Sequence, residues 1–289
     1  MERELFLYLY DLAIALDKPL ACRAPFTAAV IVAVAVWACV HERSIAWACD
    51  PAHWWGLEFG RLPSQSTMSR RLRSARVLAL LQAMEDQLKT RQPAGCCQIV
   101  DAKPLAVGGC TKDPDACRGR AARDMAKGYK LFVIWGDGAL PLAWHVGPMN
   151  CSEQRMCEQL LPEIRGGGYL LADKVYDANR LFRLAVEHGY QLVTPRKYPH
   201  QRISPNARHP ARLHSIELTS RRFGEALLRY RDRIEQRFAQ LTNFPGGLAP
   251  LPNHVRRQAR VARWVRLKLL LYAAYLLHPP SLTPTPAVA

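Results

Sequence analysis

The sequence predicts an α/β protein, a mixed sheet flanked by helices and preceded by an all-α region. Three observations predict it. Helical periodicity runs through residues 1–92, and near residue 96 it gives way to short apolar, aromatic and β-branched runs. Those runs alternate with helical segments in the order strand, hairpin, helix, strand, helix, strand, the order of a mixed sheet with helices packed on it. A basic helix with one apolar face then closes the series. The expected divisions are a helical region at 1–92, a sheet domain at 96–278 and a Pro-rich, disordered tail at 279–289.

In the first region, "ELFLYLYDLAIAL" reads as a helix, and so does "FTAAVIVAVAVWACV" (26–40). The latter has 15 residues without a charge, short of the roughly 20 that span a bilayer, and is expected to be a buried helix. The same holds for "LKLLLYAAYLL" (267–277). "STMSRRLRSARVLALLQAMEDQLK" follows as one helix, with Pro63 and Ser64 as its start signal. "RQPAG" (91–95) is read as a linker. In the second region the expected strands are "CQIV" (97–100), "YKLFVIW" (129–135), "LPLAWHV" (140–146), "YLLA" (169–172) and "YQLVTP" (190–195), with "GDGA" (136–139) turning a hairpin. Helices are expected at 152–164, 177–189 and, unbroken, from about 222 to 243.

The formal charge is +16 from 40 basic and 24 acidic residues, an excess that points to a polyanionic partner, above all nucleic acid. The nine cysteines form no CxxC and no zinc-finger spacing, so they read as free thiols in a reducing cytoplasm. With no charged leader and no full-length span, a membrane location is not expected.

Asp101 follows "CQIV" and Asp173 follows "YLLA", each at the C-terminal end of an apolar strand, where open α/β sheets place their ligand sites. Taken singly, each is equally readable as a turn or cap residue. Glu235 lies beside the apolar face formed by Leu227, Tyr230, Ile234, Phe238 and Leu241, about 100° round from Ile234. Arg231, one turn earlier, is placed to orient it or merely to pair with it on the surface. Three carboxylates so placed suit hard divalent cations such as Mg²⁺, two of which clamp the attacking and leaving oxygens of a phosphodiester.

Four blocks carry a resemblance: "IVDAKPLAV" (99–107), "KGYKLFVIWGDGALPLAWHVGPMN" (127–150), "LLADKVYDA" (170–178) and "RDRIEQRFAQL" (231–241). In this order, segment 97–277 resembles the catalytic domain of bacterial insertion-sequence transposases of the DDE type, with a ribonuclease-H-like fold. The 61 residues between Asp173 and Glu235 match the compact subgroup. The resemblance implies that Asp101, Asp173 and Glu235 are the catalytic, metal-holding acids for two Mg²⁺ ions, with Mn²⁺ as a substitute. The implied reaction is hydrolysis at the end of a mobile DNA element, followed by attack of the freed 3′-OH on target DNA. Leu228 and Thr242 stand where one family signature has Tyr and Lys, and Val175 where Gly is common. Alternatives are therefore a ribonuclease-H-like nuclease that cuts without joining, or a catalytically impaired DNA-binding relic.

"LPSQSTMSRRLRSAR" (62–76) resembles the recognition-helix segment ahead of such domains, which would lay Ser66, Thr67, Arg70 and Arg71 on DNA. Residues 196–237 hold eleven Lys/Arg against four Asp/Glu. Arg196 and Lys197 open a basic loop (196–214) expected on the phosphate backbone, and Arg256, Arg260 and Arg263 share a helical face. Lys174 and Tyr176, in the second-aspartate block, and Arg231 complete the expected DNA contacts. Other aromatics, Trp54, Trp55, Trp135 and Trp144, read as core. The expected partner is double-stranded DNA, element ends and target, bound by a homodimer in the bacterial cytoplasm at the nucleoid.

Overall fold

The computed structural model describes residues 1–18, 25–57, 60–90, 95–109, 111–121, 124–244, 246–248 and 250–277. The expected linker at 91–95, apart from Gly95, the tail at 279–289, and Cys22 and Cys110 lie outside the described residues. The described residues divide into two compact units: those within 1–91, 243–248 and 264–277, and those within 92–242 and 249–263. The sequence reading placed 243–248 and 264–277 in the sheet domain; their described residues cluster instead with the N-terminal helices.

In the first unit, α1 (Glu2–Leu16) packs on α2 (Ala28–Val40). Thr27 caps α2 by accepting the Val30 N–H at 3.2 Å, and all of α2 except Val30 is buried, as a helix apolar all round must be. After α3 (Ile45–Ala48), the expected single helix at 66–89 is two: α4 (Gln65–Arg71) and α5 (Ala75–Lys89). Ser74 makes the break. Its hydroxyl donates to the Arg71 carbonyl at 2.7 Å and accepts from Val77 N–H, offering the backbone an alternative to the helical ladder. Ser64 starts α4 as expected, through Thr67 N–H. Trp54 is buried, but Trp55, read as core, is 63% exposed. No helix among the described residues is long and apolar enough to cross a membrane.

The second unit holds the sheet. Its strands are β1 (Cys97–Ala106), β2 (Cys117–Arg120), β3 (Met125–Trp135), β4 (Ala143–Pro148), β5 (Gly168–Leu171) and β6 (Tyr190–Val193). β3 pairs antiparallel with β1 and, along successive stretches, with β2 and β4, while β5 and β6 continue from β1 in parallel. The expected mixed sheet is therefore present. The sequence pattern missed β2, because "CRGR" has no apolar alternation and pairs only with the start of β3. β1 also outruns its expected end by six residues, since antiparallel pairing to β3 carries it on to Ala106↔Gly128.

One face of the sheet carries α6 (Glu153–Leu160) and α7 (Asn179–Glu187), whose Met156, Leu160, Phe182 and Ala185 join Val100, Phe132, Ile134 and Leu170 in one buried cluster. Side chains alternate along a strand, so Ile99, Asp101 and Lys103 look the other way. On that side, Lys103 Nζ sits 5.8 Å from the Phe238 ring centre and Trp135 meets the same ring edge-on at 6.3 Å. α8 (Pro210–Thr219) begins within the expected basic loop. The expected long helix 222–243 is broken at Asp232 into α9 (Arg222–Arg231) and α10 (Arg233–Asn243). Asp232 N–H bonds to the Arg229 carbonyl and Glu235 N–H to the Asp232 carbonyl, both at 3.1 Å and both three residues back, which tightens the turn between the helices. The last helix, α11 (Gln258–Leu277), starts where Asp113 and Asp115 carboxylates accept the Arg257 and Gln258 N–H groups, each at 3.0 Å.

Candidate active site

The parallel pairing of β1 and β5 builds the site. Their ladder ends on Ile99↔Leu171. Two residues further on, in step and on the same face, come Asp101 and Asp173, whose backbone is still extended. Neighbouring strands lie about 4.8 Å apart, so the two carboxylates face one region. Asp101 does not end its strand, as expected, but sits within it, opposite Val133. Its Oδ1 accepts the Ala102 N–H at 2.8 Å. Asp173 does follow its strand, where its Oδ1 accepts Val175 N–H at 2.8 Å and so caps the turn Lys174–Tyr176.

The electrostatics agree with that geometry. Burial pushes the Asp101 carboxyl up to about 7; the Ala102 N–H opposes this, the charge of Asp173 adds to it, and Arg231 and Glu153 act more weakly in opposite senses. Burial also raises Asp173, against the Val175 N–H, with the Glu153 charge adding and Arg231 opposing. A cation at this place would relieve both carboxylates, and paired hard oxygens are the donors that Mg²⁺ takes.

Glu235 stands apart from that pair. Its side chain is 70% exposed and lies 3.6 Å from Arg231. Among the described residues, no group of three or more His, Cys, Asp and Glu side chains is close enough to hold a metal ion. The expected single pocket of three acids is thus present as a pair plus a separate glutamate, because Glu235 points from the first turn of α10 into solvent. The acid whose charge reaches both aspartates is Glu153, at the start of α6, which ion-pairs with Lys130 Nζ at 2.6 Å. Glu153 has no local signal in the sequence, since its partner Lys130 lies 23 residues away.

Residues 92–273 match the family described as "Transposase DDE domain", well over half of the chain. The chain belongs to that family. This DDE transposase has no match among curated protein sequences. Its fold aligns with a cryo-EM structure of the piggyBac transposase synaptic complex with hairpin DNA, at a TM-score of 0.51 and 10% identity over 95% of this chain and 72% of that chain.

The expected DNA contacts of the transposase divide by exposure. Arg70, Lys174, Lys197 and Arg260 are exposed. Arg71 is half-buried and donates to the Phe26 carbonyl at 3.1 Å. Arg196 is tied to the carbonyls of Pro199 and Gln201 in its own loop, and Arg256 to those of Pro252 and Val255, each at 2.8 Å. Arg231 is shared between Asp232, at 3.0 Å, and Glu235. Tyr176 must be corrected: it is 1% exposed, inside the α6–α7 cluster, and cannot reach DNA. The short turn after Asp173 tucks its ring under the sheet. Asp177, one residue later, was also missed. Its buried carboxylate takes two 2.8 Å bonds from Arg212 and accepts Lys197 N–H at 2.9 Å, so it anchors the basic loop to the strand end.

Proposed function

We propose that the transposase cuts an element end and joins it to target DNA with Asp101 and Asp173 as paired metal-holding carboxylates and Glu235 as the third acid. The observation that carries this reading is the register that sets Asp101 beside Asp173, with both carboxyls raised by burial. The antiparallel β3–β4 hairpin on one side of β1 and the parallel β5 and β6 on the other support a ribonuclease-H-like arrangement. Two Mg²⁺ ions, or Mn²⁺, would supply charge neutralisation at the scissile phosphodiester. Asp101 and Asp173 hold their side of the site through backbone N–H bonds that fix each Oδ1. Glu235 joins by turning its exposed side chain away from Arg231, which keeps Asp232 as a partner and has further N–H groups to offer a phosphate oxygen. Lys174, Lys197, Arg260 and Arg70 bind phosphates along the duplex, and two copies of the chain act together on DNA. Asp101→Asn is expected to abolish cleavage of a duplex carrying the DNA that flanks the gene, with its affinity for that duplex unchanged. Wild-type cleavage by this variant overturns the reading. A pre-cut duplex with a free 3′-OH tests joining separately.

A further inference from the structure

Three side chains on the glutamate-bearing helices converge on one residue of the β3–β4 loop. The Tyr230 hydroxyl donates to Asp137 Oδ1. Arg233 approaches the same oxygen at 3.4 Å, and Arg237 donates to the Asp137 carbonyl at 2.9 Å. The spacings 3 and 4 place all three on one helical stripe. That stripe straddles the break at Asp232, with Tyr230 on α9 and both arginines on α10. The Arg233 guanidinium also stacks 4.2 Å above the Tyr230 ring. The loop gives a firm footing. Trp135 Nε1 donates to the Gly138 carbonyl at 3.0 Å, and a Cβ on Gly95 would come within 2.9 Å of Asp137 Oδ2.

Glu235 lies two residues from each arginine, about 200° round the helix, and so projects from the side opposite the clasp. Exposed ion pairs are individually weak, but here a hydroxyl, two guanidiniums and an aromatic stack hold both sides of one helix break. We infer that Asp137 is a positioning residue, whose contacts with Tyr230, Arg233 and Arg237 set the direction of α10 relative to α9 and thereby where Glu235 can reach. This rests on the reading of Glu235 as the third acid.

The test uses the full chain, Mg²⁺ and the flanking-DNA duplex. Asp137→Ala is expected to lower kcat by about 10²-fold, the cost of roughly 1 Å of misplacement, with KM for the duplex unchanged. Asp137→Asn keeps an acceptor for the Tyr230 hydroxyl and recovers most of the rate. In the metal-free protein, amide exchange over residues 232–238 is faster in Asp137→Ala than in wild type. If a folded Asp137→Ala cleaves at the wild-type rate while Glu235→Gln is inactive, the positioning role is overturned and the reading of Glu235 survives. If Glu235→Gln cleaves normally, both fall. Tyr230→Phe, which removes a single oxygen, decides the matter if the alanine variant fails to fold: an unchanged kcat together with unchanged exchange overturns the inference.

Discussion

Asp101 is a carboxyl that the fold holds at an energetic cost. Its ordinary value of 3.8 is raised to about 7, so the native state binds its proton more tightly than the unfolded chain. Its contribution to stability is greatest below about pH 4 and is lost as pH rises through 7. Asp101→Asn, neutral at every pH, is therefore expected to raise the metal-free Tm at pH 8 and to leave it nearly unchanged at pH 4. Each kcal/mol relieved corresponds to about 2–4 °C, measured by calorimetry in chelator. Asp101 and Asp173 were legible in the sequence because each directly follows a short apolar run that reads as a strand. Glu153, Asp137 and Asp177 were not, because what gives each its role is a partner 20 to 100 residues away. Tyr176 shows the converse error: its motif was recognised, but its direction depended on a three-residue turn.

At the scale of elements, periodicity found most of the helices and missed their breaks. Of the expected apolar face, Leu227, Ile234, Phe238 and Leu241 are buried, since a face needs only its own spacing; Tyr230 is half-buried and its hydroxyl goes to Asp137. The interruption at Asp232 leaves that face nearly continuous and so has no signature in it. Close packing is equally invisible. α9 approaches the end of α8 so closely that a Cβ on Gly224 would stand 2.0 Å from the Leu218 carbonyl oxygen. Gly224→Ala must push the two helices apart and is expected to destabilise the fold by about 1–3 kcal/mol. Urea unfolding should show a lower midpoint at an unchanged slope.

For the whole molecule, the +16 charge identifies the class of partner, and the tertiary structure decides which charges are free to meet it. Arg70, Lys174 and Arg260 are exposed, Arg260 with one nitrogen 3.3 Å from the His254 carbonyl, whereas Arg71 and Arg256 are half-buried and held by backbone carbonyls of their own surroundings. Each of the variants Arg70→Ala, Lys174→Ala and Arg260→Ala is expected to flatten the dependence of log K on log salt by about 0.9, the share of one phosphate contact. Arg71→Ala and Arg256→Ala should change Tm more than that slope. Fluorescence anisotropy on duplex DNA across a salt series, with Tm measured in parallel, separates the two groups. The division of the chain belongs to this scale as well. The apolar run at 267–277 was readable as buried, but not as part of the N-terminal unit.

The sequence by itself determined the mixed sheet after an all-α region, the buried helix at 28–40, the two aspartates at their strands and the nucleic-acid charge. These are written in short-range patterns: alternation, helical spacing, capping residues and composition. Only the tertiary structure decided that Asp101 and Asp173 share a face, that Glu235 lies in the first turn of a separate helix and points to solvent, and that Asp137 clasps that helix. Such relations are set by strand register and by packing between distant segments. No residue carries them in its own neighbourhood, and they exist only once the chain has closed on itself.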